Sequence, residues 1–374
     1  MRIAVFADNF LPGVGGTENA VLNYATELSR TDEVAVFAPD YKGVLTDGYD
    51  ERFPFKVVRC KSLKLTKNDF LARPKSDKKF IAALNAFKPD IVHCQTLAPI
   101  SNFAAAYAKK RGLPLVFTAH TKYRFCYHYS LKSKCLANLA VGVISKGVKK
   151  ADAVCTVSHD MANELRSYGV KGDITVIKNG GVARNNRFIK TENAAPRFLF
   201  VGLVIKYKNV EFTLKALAEA KKYGLTDFTF NVVGSGPDVK YFKKRAEKLG
   251  IGDSVKFLGR ITDTAALDKV YAESDLLLFP SVFDSDGLVV CEAGNMGTPS
   301  LTLTDTGASE RITDGVNGFT APHSVKAYAE KLVAVISDKQ NLRRVGENAG
   351  HLFTDWGANV AQYKKIYTDL LNNI

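Results

Sequence analysis

The order of its apolar segments constrains the fold of this chain more than any other feature of the sequence. Short runs rich in β-branched residues alternate with segments of helical period along nearly the whole chain. Strands that are apolar on both faces and separated by helices are typical of parallel sheets covered on both sides. The predicted strands are IAVFAD (3–8), EVAVFAP (33–39), FKVVRC (55–60), IVHCQ (91–95), LPLVFTAH (113–120), AVCTVS (153–158), DITVIKNG (173–180), FLFVGLV (198–204), FTFNVVG (228–234), VKFLGR (255–260), LLLFPS (276–281) and PSLTLT (299–304).

The polar stretch ARNNRFIKTENAAP (183–196) interrupts this alternation. A chain of 374 residues is also longer than one hydrophobic core usually supports. We therefore predict two doubly wound α/β domains, 1–185 and 197–355, joined by a linker at 186–196. In such sheets ligands bind outside the carboxyl ends of the strands, so a cleft between two facing domains is the expected site.

Composition and cysteine usage narrow the class of protein. Hydrophobic residues make up 46% of the chain and charged residues 24%, as in an ordinary soluble protein. No apolar run approaches the roughly 18 residues that span a bilayer. An acidic residue also occurs too early in the chain for the apolar region of a secretory signal peptide. The six cysteines show neither a CxxC pair nor metal-ligand spacing. We expect a cytoplasmic protein with reduced thiols, no metal and no cofactor.

The formal net charge of +14 is unevenly distributed. Residues 51–150 contain 21 Lys and Arg but only 4 Asp and Glu, and no acidic residue lies between Asp90 and Asp152. This tract predicts contact with an anionic surface, although a merely solvated basic face is the alternative. Nucleic acid is the less expected partner, because no recognised binding module accompanies the charge.

The stretch FPSVFDSDGLVVCEAGNMGTPS (279–300) predicts an anion-binding site. A buried strand ends here, and GLVVCEAGNMG has the apolar spacing of a helix that runs to about Gly297, with Ser285 or Asp286 as its N-cap. The amides of the first helical residues would be free at the carboxyl end of a strand, where they favour a phosphate. The residues concerned are Gly287, Leu288 and Val289.

Two carboxylates flank this predicted phosphate site. Asp284 lies in the preceding loop, and Glu292 lies about one helical turn beyond the helix start. Carboxylates repel phosphate, so we expect them to accept hydrogen bonds from hydroxyl groups at either end of a diphosphate, a ribose on one side and a sugar on the other. The alternative is that Asp284 only begins a loop and Glu292 faces solvent. A glycosidase would need both carboxylates to flank one glycosidic bond instead.

The D-x7-E arrangement of Asp284 and Glu292 resembles the E-x7-E signature of the retaining glycosyltransferases of family four, which have the GT-B fold. The resemblance implies two Rossmann-like domains facing a central cleft, with a terminal helix, 356–374, that crosses back to the N-terminal domain. It is also carried by LPGVGGTE (11–18), VSHDMANELRSYGV (157–170), VIKNGG (176–181), FLFVGLVIKYKN (198–209), VVGSGPD (232–238), VKFLGRI (255–261), ASERITDGVNGF (308–319) and DWGANVAQYKKIYTDLL (355–371).

The resemblance implies roles for particular residues. His120 would lie beside the reacting sugar carbon as a catalytic residue, unless it is structural, and Glu18 would lie on the acceptor side. Glu18 also occupies the third-glycine position of a dinucleotide-binding turn, which argues against NAD. Catalytic roles also fall to Asp284 and Lys208. Donor binding falls to Gly15, Gly16, Lys206, Lys208, Gly259, Arg260, Asp284, Gly287, Leu288, Val289 and Glu292.

Two departures from the family pattern are visible. Leu203 stands where the family has a phosphate-binding arginine, and Asp284 replaces a glutamate. Lys206 could substitute for the arginine, although it lacks the bidentate fork. These departures leave open a catalytically weak partner subunit as an alternative to an active enzyme.

The resemblance implies a metal-independent transfer of a hexose, with UDP-glucose the favoured donor, to a hydroxyl acceptor. The segment HTKYRFCYHYS (120–130) is similar to the acceptor-side loop of the members that glucosylate diacylglycerol, and it suggests Tyr123 and Tyr127 as acceptor contacts. Alternating aromatic and basic residues suit an anionic lipid surface at the inner face of the membrane. A core-packed aromatic cluster, or a soluble polysaccharide or protein acceptor, is the alternative. The predicted membrane contacts are Lys122, Arg124, Lys132, Lys134, Lys149 and Lys150.

Overall fold

The computed structural model describes residues 1–13, 15–64, 70–181, 193–352 and 354–373. The chain forms two compact units, one of Met1–Gly180 with Asp355–Ile374 and one of Gly181–Thr354. Each unit is built on a parallel sheet with helices, which confirms the prediction of two doubly wound α/β domains. Most of the predicted linker, residues 186–192, lies outside the described residues.

The first unit contains a seven-stranded parallel sheet with the strand order β3-β2-β1-β6-β7-β8-β9. A short antiparallel hairpin of β4 and β5, which the sequence pattern did not predict, stands beside it. The strands are β1 (Arg2–Phe6), β2 (Glu33–Pro39), β3 (Lys56–Cys60), β4 (Ser62–Lys64), β5 (Phe70–Ala72), β6 (Ile91–Cys94), β7 (Leu115–Ala119), β8 (Ala153–Thr156) and β9 (Ile174–Val176).

Helices cover both faces of this sheet, so its strands are apolar on both sides. Along β1, Ile3 and Val5 pack into one hydrophobic core while Ala4 and Phe6 pack into the other, as the two-residue period of a strand requires. The helices of this part of the chain are α1 (Gly16–Leu28), α2 (Lys78–Phe87), α3 (Pro99–Arg111), α4 (Tyr123–Leu131), α5 (Lys134–Ile144) and α6 (His159–Ser167).

The second unit contains a six-stranded parallel sheet with the order β12-β11-β10-β13-β14-β15. Its last strand was not among the predicted ones. The strands are β10 (Arg197–Val201), β11 (Thr229–Val233), β12 (Val255–Gly259), β13 (Leu276–Phe279), β14 (Ser300–Leu303) and β15 (Phe319–Ala321). The helices are α7 (Val210–Ala220), α8 (Val239–Lys248), α9 (Thr264–Ala272), α10 (Leu288–Asn295), α11 (Val325–Ser337) and α12 (Lys339–Ala349).

The terminal helix α13 (Trp356–Asn372) belongs to the first unit. Trp356 packs against Gly180 so closely that a Cβ at Gly180 would lie 2.7 Å from the indole ring. Deeper in the core, the Tyr367 hydroxyl contacts His93 Nδ1 at 2.5 Å, and the Tyr24 hydroxyl lies 3.0 Å from the same nitrogen. These buried polar contacts fix the helix on the sheet, because each group would otherwise be buried without a partner.

Candidate functional site

The loop after β13 leads into the open amino end of α10. The N-cap of this helix is Gly287, with φ 66°, and not Ser285 or Asp286 as predicted. The first described hydrogen bond of the helix runs from the Val290 amide to the Gly287 carbonyl, at 2.8 Å. Within the described part of the chain, the amides of residues 287–289 donate no hydrogen bond. The three predicted donors are therefore open, as an anion site requires.

Glycine is required at the N-cap for two reasons. The left-handed φ of Gly287 is one that residues with side chains rarely adopt. In addition, a Cβ at this position would lie 2.8 Å from the Ala308 Cβ. The loop backbone is thus pressed against the segment that follows β14, and this contact fixes where the open amides point.

Lys208 and Asp284 form an ion pair in this loop. The short 3-10 turn Lys206–Lys208 lies between β10 and α7, and it brings Lys208 Nζ within 2.5 Å of Asp284 Oδ1. The two side chains are 12% and 21% exposed, and the ammonium also lies 5.1 Å from the Phe283 ring centroid. Asp284 Oδ2 has no hydrogen-bond partner among the described residues. The structure thus brings together two of the three predicted catalytic residues.

Glu292 is held by a residue that the sequence did not single out. Glu292 lies in α10, and its Oε2 accepts a hydrogen bond of 2.8 Å from the hydroxyl of Tyr271. Tyr271 lies in α9 and is fully buried. The tyrosine therefore fixes one oxygen of the carboxylate predicted to bind the ribose.

The remaining predicted donor contacts of the second unit lie around the ends of β10 and β12. Lys206 is exposed, and its ammonium lies 4.7 Å from the centroid of the Tyr241 ring. Gly259, with φ 74°, ends β12, and its carbonyl accepts from the Gly234 amide at 2.8 Å. Arg260 follows it and is exposed. These residues lie at the carboxyl ends of their strands, where parallel sheets bind ligands.

The glycine-rich loop of the first unit is covered by its own glutamate. Gly15 is the N-cap of α1, Gly16 is its first residue, and Glu18 follows in the first turn. A Cβ at Gly15 would lie 2.6 Å from Glu18 Oε2, so a side chain there would displace the glutamate from its present position. Burial raises the pKa of Glu18 above its ordinary value. The carboxylate predicted to face the acceptor thus folds over the amino end of its own helix.

His120 follows β7 and is held by Gln95 at the end of β6. Its Nε2 lies 2.7 Å from Gln95 Oε1, an arrangement in which the imidazole donates and the amide oxygen accepts. Burial lowers the pKa of His120 to about 4, so the ring is neutral near pH 7. Strands β6 and β7 are neighbours in the sheet, so Gln95 lies beside His120. The sequence alone did not show that these two strands pair, and it therefore did not single out Gln95.

The two tyrosines predicted as acceptor contacts pack against the core of the first unit. Tyr123 and Tyr127 lie one helical turn apart on α4, with ring centroids 6.4 Å apart. The Tyr123 hydroxyl accepts a hydrogen bond of 3.2 Å from the Leu97 amide. The core-packed alternative therefore describes these two rings, whereas Phe125 and Tyr129 are exposed on the same helix.

Two of the predicted membrane cations contact residues of the same unit, and for Lys122 this contact corrects the prediction. Lys122 forms an ion pair of 2.5 Å with Asp160 and is only 12% exposed. Arg124 donates to the Ser167 side chain and carbonyl, and its guanidinium lies 5.0 Å from the Tyr168 ring centroid. The charge of Lys122 is thus compensated by an acidic residue of α6, whereas the described partners of Arg124, in α6 and at its C-cap, are uncharged. The other four predicted membrane lysines are exposed: Lys132, Lys134, Lys149 and Lys150.

Helices α4 and α5 present a surface of exposed aliphatic side chains. Ala137, Val141 and Ile144 form the buried stripe of α5, so the second apolar stripe of that helix faces outward. Leu139 is 67% exposed, the largest value among the large hydrophobic residues of the described chain. We call this the α4–α5 apolar surface, and its members are Leu131, Leu136, Leu139 and Val143.

The sequence also did not predict a buried ion pair next to the open amides. Arg311 donates through Nε and a terminal nitrogen to the two oxygens of Asp286, at 2.9 and 3.0 Å. Both side chains are 4% exposed. Opposite charges 25 residues apart in a helix-rich segment give no periodic signal, so only the fold reveals this pair.

Among the described residues, no helix is both long enough and apolar enough to cross a membrane.

Comparison with known proteins identifies the class. The model of Glycosyltransferase Family 4 matches residues 14–180, and that of Glycosyl transferases group 1 matches residues 183–351. Together these two matches cover most of both units, whose parallel sheets give the chain the GT-B fold. The chain belongs to the family-four, group 1 glycosyltransferases, a family whose members transfer sugars from nucleotide sugars.

Similar individual proteins differ in their acceptors. An alpha-monoglucosyldiacylglycerol synthase of Streptococcus pneumoniae is 27% identical over 89% of this chain and 79% of its own length. A glycogen synthase of Mycobacterium tuberculosis is 26% identical over 75% of this chain and 69% of its own length. The structure of HepE from Anabaena in complex with UDP and glucose is 20% identical, with a TM-score of 0.74 over 98% of this chain and 99% of that one.

Proposed function

We propose that the protein is a retaining hexosyltransferase that moves glucose from UDP-glucose to a hydroxyl group of a membrane glycolipid. The observation that carries the donor half of this proposal is the loop 284–289. Its open amides and the Lys208–Asp284 ion pair bring together anion donors, a cation and a hydroxyl acceptor at one loop. A sugar attached to a nucleoside diphosphate supplies all three complementary groups.

The chemistry of the transfer follows from this arrangement. The bond between sugar C1 and the diphosphate oxygen breaks while positive charge builds on the ring. Lys208 and the amides of α10 stabilise the leaving diphosphate, and a leaving phosphate oxygen takes the proton of the acceptor hydroxyl. The acceptor oxygen attacks from the face that the diphosphate leaves, which retains the configuration at C1. The charge of the leaving group is met by protein groups, so we propose that no metal is required.

UDP-glucose is proposed as the donor because HepE, which shares the fold, was solved with UDP and glucose. Asp284 would accept hydrogen bonds from sugar hydroxyls through Oδ2, the oxygen not engaged by Lys208. Glu292 would accept a hydrogen bond from the ribose, and Tyr271 holds Oε2 of the same carboxylate.

A lipid acceptor is proposed because of the α4–α5 apolar surface. Exposed aliphatic side chains on a helix flanked by lysines are typical of helices that lie in the membrane interface. The alpha-monoglucosyldiacylglycerol synthase among the similar proteins supports the same acceptor class. We place the enzyme on the inner leaflet, where anionic headgroups attract the exposed lysines.

A glucan acceptor is the second candidate, and the glycogen synthase among the similar proteins favours it. A catalytically weak partner subunit is the third, because Leu203 is exposed where the family has its arginine. These alternatives predict different results in one assay.

The test is to incubate the protein with UDP-, GDP- and ADP-sugars and to measure nucleotide release and the anomeric configuration of the product. Three arms contain diacylglycerol or monoglucosyldiacylglycerol vesicles, glycogen, or no acceptor. We expect release from UDP-glucose that requires the lipid arm and gives an α-linked product. Release with glycogen alone would replace the lipid acceptor, and no release in any arm would favour the inactive subunit. Activity in EDTA checks the metal independence.

A further inference from the structure

Asp286 is an acidic side chain in an unfavourable place. It directly precedes Gly287, the N-cap of α10, whose open amides are the proposed diphosphate contacts. A carboxylate next to a phosphate site repels the ligand unless its charge is neutralised. The structure shows a partner for this carboxylate, the guanidinium of Arg311.

The partner, Arg311, binds Asp286 with both prongs of its guanidinium fork. Nε and a terminal nitrogen donate to Oδ1 and Oδ2 at 2.9 and 3.0 Å. This bidentate geometry fixes the carboxylate in direction as well as in distance. The third guanidinium nitrogen donates to the Leu352 carbonyl at 3.3 Å, so Arg311 is itself anchored to the segment after α12.

The backbone next to Arg311 supports the same loop. A Cβ at Gly307 would lie 2.3 Å from the Ser285 carbonyl, and one at Gly287 would lie 2.8 Å from the Ala308 Cβ. The 3-10 turn Gly307–Ser309 is closed by a capping box between Thr306 and Ser309. The loop 284–287 is therefore packed closely against the segment 306–311 and is tied to it by one ion pair.

We infer that Arg311 is a positioning residue for the donor diphosphate that acts through charge: it cancels the carboxylate of Asp286, so that the phosphates meet the open amides of residues 287–289 without a repelling anion beside them. This inference rests on the proposed donor site. Arg311 touches neither sugar nor acceptor in this role, and it acts through Asp286.

The charge state of the pair is consistent with this role. Burial alone would lower the pKa of Arg311, but the Asp286 carboxylate, with contributions from Cys291 and Glu310, raises it above its ordinary value. The guanidinium therefore stays charged. A buried ion pair is not in itself a strong source of stability, because apolar residues of similar volume often stabilise a core as well. Stability alone thus does not account for an acid at this position.

The experiment separates this charge role from a purely structural one. UDP and inorganic pyrophosphate are titrated calorimetrically into the wild type and into Arg311→Met, Asp286→Asn and the double variant, and the melting temperature of each is measured. Both single variants break the same ion pair, so we expect both to lower the melting temperature. Arg311→Met leaves the carboxylate uncompensated, and we expect UDP affinity to fall at least tenfold.

Asp286→Asn removes the repelling charge instead, so we expect unchanged or tighter UDP binding, and we expect the double variant to recover most of the affinity lost in Arg311→Met. Arg311→Lys keeps the charge without the fork and should fall between the wild type and Arg311→Met; it also serves if the methionine variant does not fold. Arg2→Met is the control, because it breaks an ion pair with Asp90 at the amino end of β1.

Equal losses of UDP affinity in Arg311→Met and Asp286→Asn, or wild-type affinity in Arg311→Met, would overturn the inference and leave the proposed function intact. A wild-type protein that binds neither UDP nor pyrophosphate would contradict the donor site itself.

Discussion

Lys208 Nζ lies 2.5 Å from Asp284 Oδ1, so the cation proposed for the leaving diphosphate is held by the carboxylate proposed for the transferred sugar. Each charge neutralises the other in a largely buried setting. A donor that enters this site must therefore share Lys208 with Asp284, and removing either partner leaves the other uncompensated.

Lys208→Ala should lower kcat for sugar transfer by about two orders of magnitude or more, a loss of roughly 3 kcal/mol of transition-state stabilisation. Part of this loss comes from the bare Asp284 carboxylate, so the double variant with Asp284→Asn should be less impaired than the sum of its single variants. Steady-state kinetics of the four proteins measure this coupling. Lys222→Ala, which breaks an exposed ion pair with Glu219, is the control. Undiminished turnover of Lys208→Ala would remove the donor site from this loop.

The two carboxylates should differ in the kinetic constant that they control. Glu292→Ala should chiefly raise the KM for the donor, because a ribose contact is made equally in the ground and transition states. Asp284→Ala should act more on kcat. The reverse pattern would exchange the proposed positions of the ribose and the sugar.

Tyr271→Phe tests how Glu292 is held. The ring keeps its packing while the 2.8 Å hydrogen bond to Glu292 is lost. A hydrogen bond of this kind contributes about 1 kcal/mol, so we expect the donor KM to rise about fivefold with little change in kcat. A KM equal to that of the wild type would show that Tyr271 does not position the Glu292 carboxylate for the donor.

Binding to vesicles should have two separable components. Neutralising the exposed lysines 132, 134, 149 and 150 together should abolish the salt-sensitive binding to phosphatidylglycerol vesicles, since each contributes on the order of 1 kcal/mol. In the wild type this binding should fall steeply between about 50 and 500 mM salt as the Debye length shrinks. Cosedimentation measures both. Lys122→Ala is the matched control, because the charge of Lys122 is already paired with Asp160.

Replacing Leu136, Leu139 and Val143 with serine tests the apolar component. We expect weaker binding at every salt concentration, because the lost contribution is the transfer of aliphatic side chains out of water. These residues are exposed, so the melting temperature should change little. Equal affinity of the wild type for neutral and anionic vesicles would leave the apolar component as the only one, and no binding to either would leave a soluble acceptor as the better proposal.

The stability of the first unit should depend on the protonation of Asp8. This carboxyl group is buried, which raises its pKa from 3.8 to about 7, although hydrogen bonds from the Ile100 amide and the Thr96 hydroxyl oppose the shift. Between these two values the folded protein holds a proton that the unfolded chain has released. The free energy of unfolding therefore falls as the pH rises from about 4 to 7.

Asp8→Asn lacks this titration, so its stability relative to the wild type should increase with pH up to about 7 and stay constant above it. Urea denaturation of both proteins from pH 5 to 9 measures the difference. Parallel curves would show that Asp8 titrates in its ordinary range.

The sequence predicted the elements that depend on local pattern. The apolar strands, the helix that carries Glu292 and the two-domain division all follow from periodicity and composition. The predicted N-cap of α10 was wrong. Asp286 is a good capping residue by type, but its side chain binds Arg311 instead. No local sequence rule identifies Arg311 as the partner, because it lies beyond the next strand, β14, and meets Asp286 only in the folded chain.

In the basic tract 51–150, too, the sequence does not show which side chains have partners in the folded chain. Lys122 and Arg124 look like the other exposed cations in the sequence, yet Asp160 and Ser167 engage them. Helix α5 carries two apolar stripes, and periodicity does not state which one is buried. The structure shows that Ala137 faces the core and Leu139 faces outward, and this orientation defines the residues of the α4–α5 apolar surface.

The burial of α13 in the first unit sets an order of completion during synthesis. The second unit comes from one continuous stretch of chain and can close as soon as that stretch leaves the ribosome. The first sheet still lacks Tyr363 and Tyr367, which lie fully or almost fully buried against it. At ordinary elongation rates, the interval between residue 180 and the terminal helix is roughly 10–40 s. During that time one hydrophobic side of the nascent first unit stands open, and a chain that terminates a few turns early keeps it open permanently.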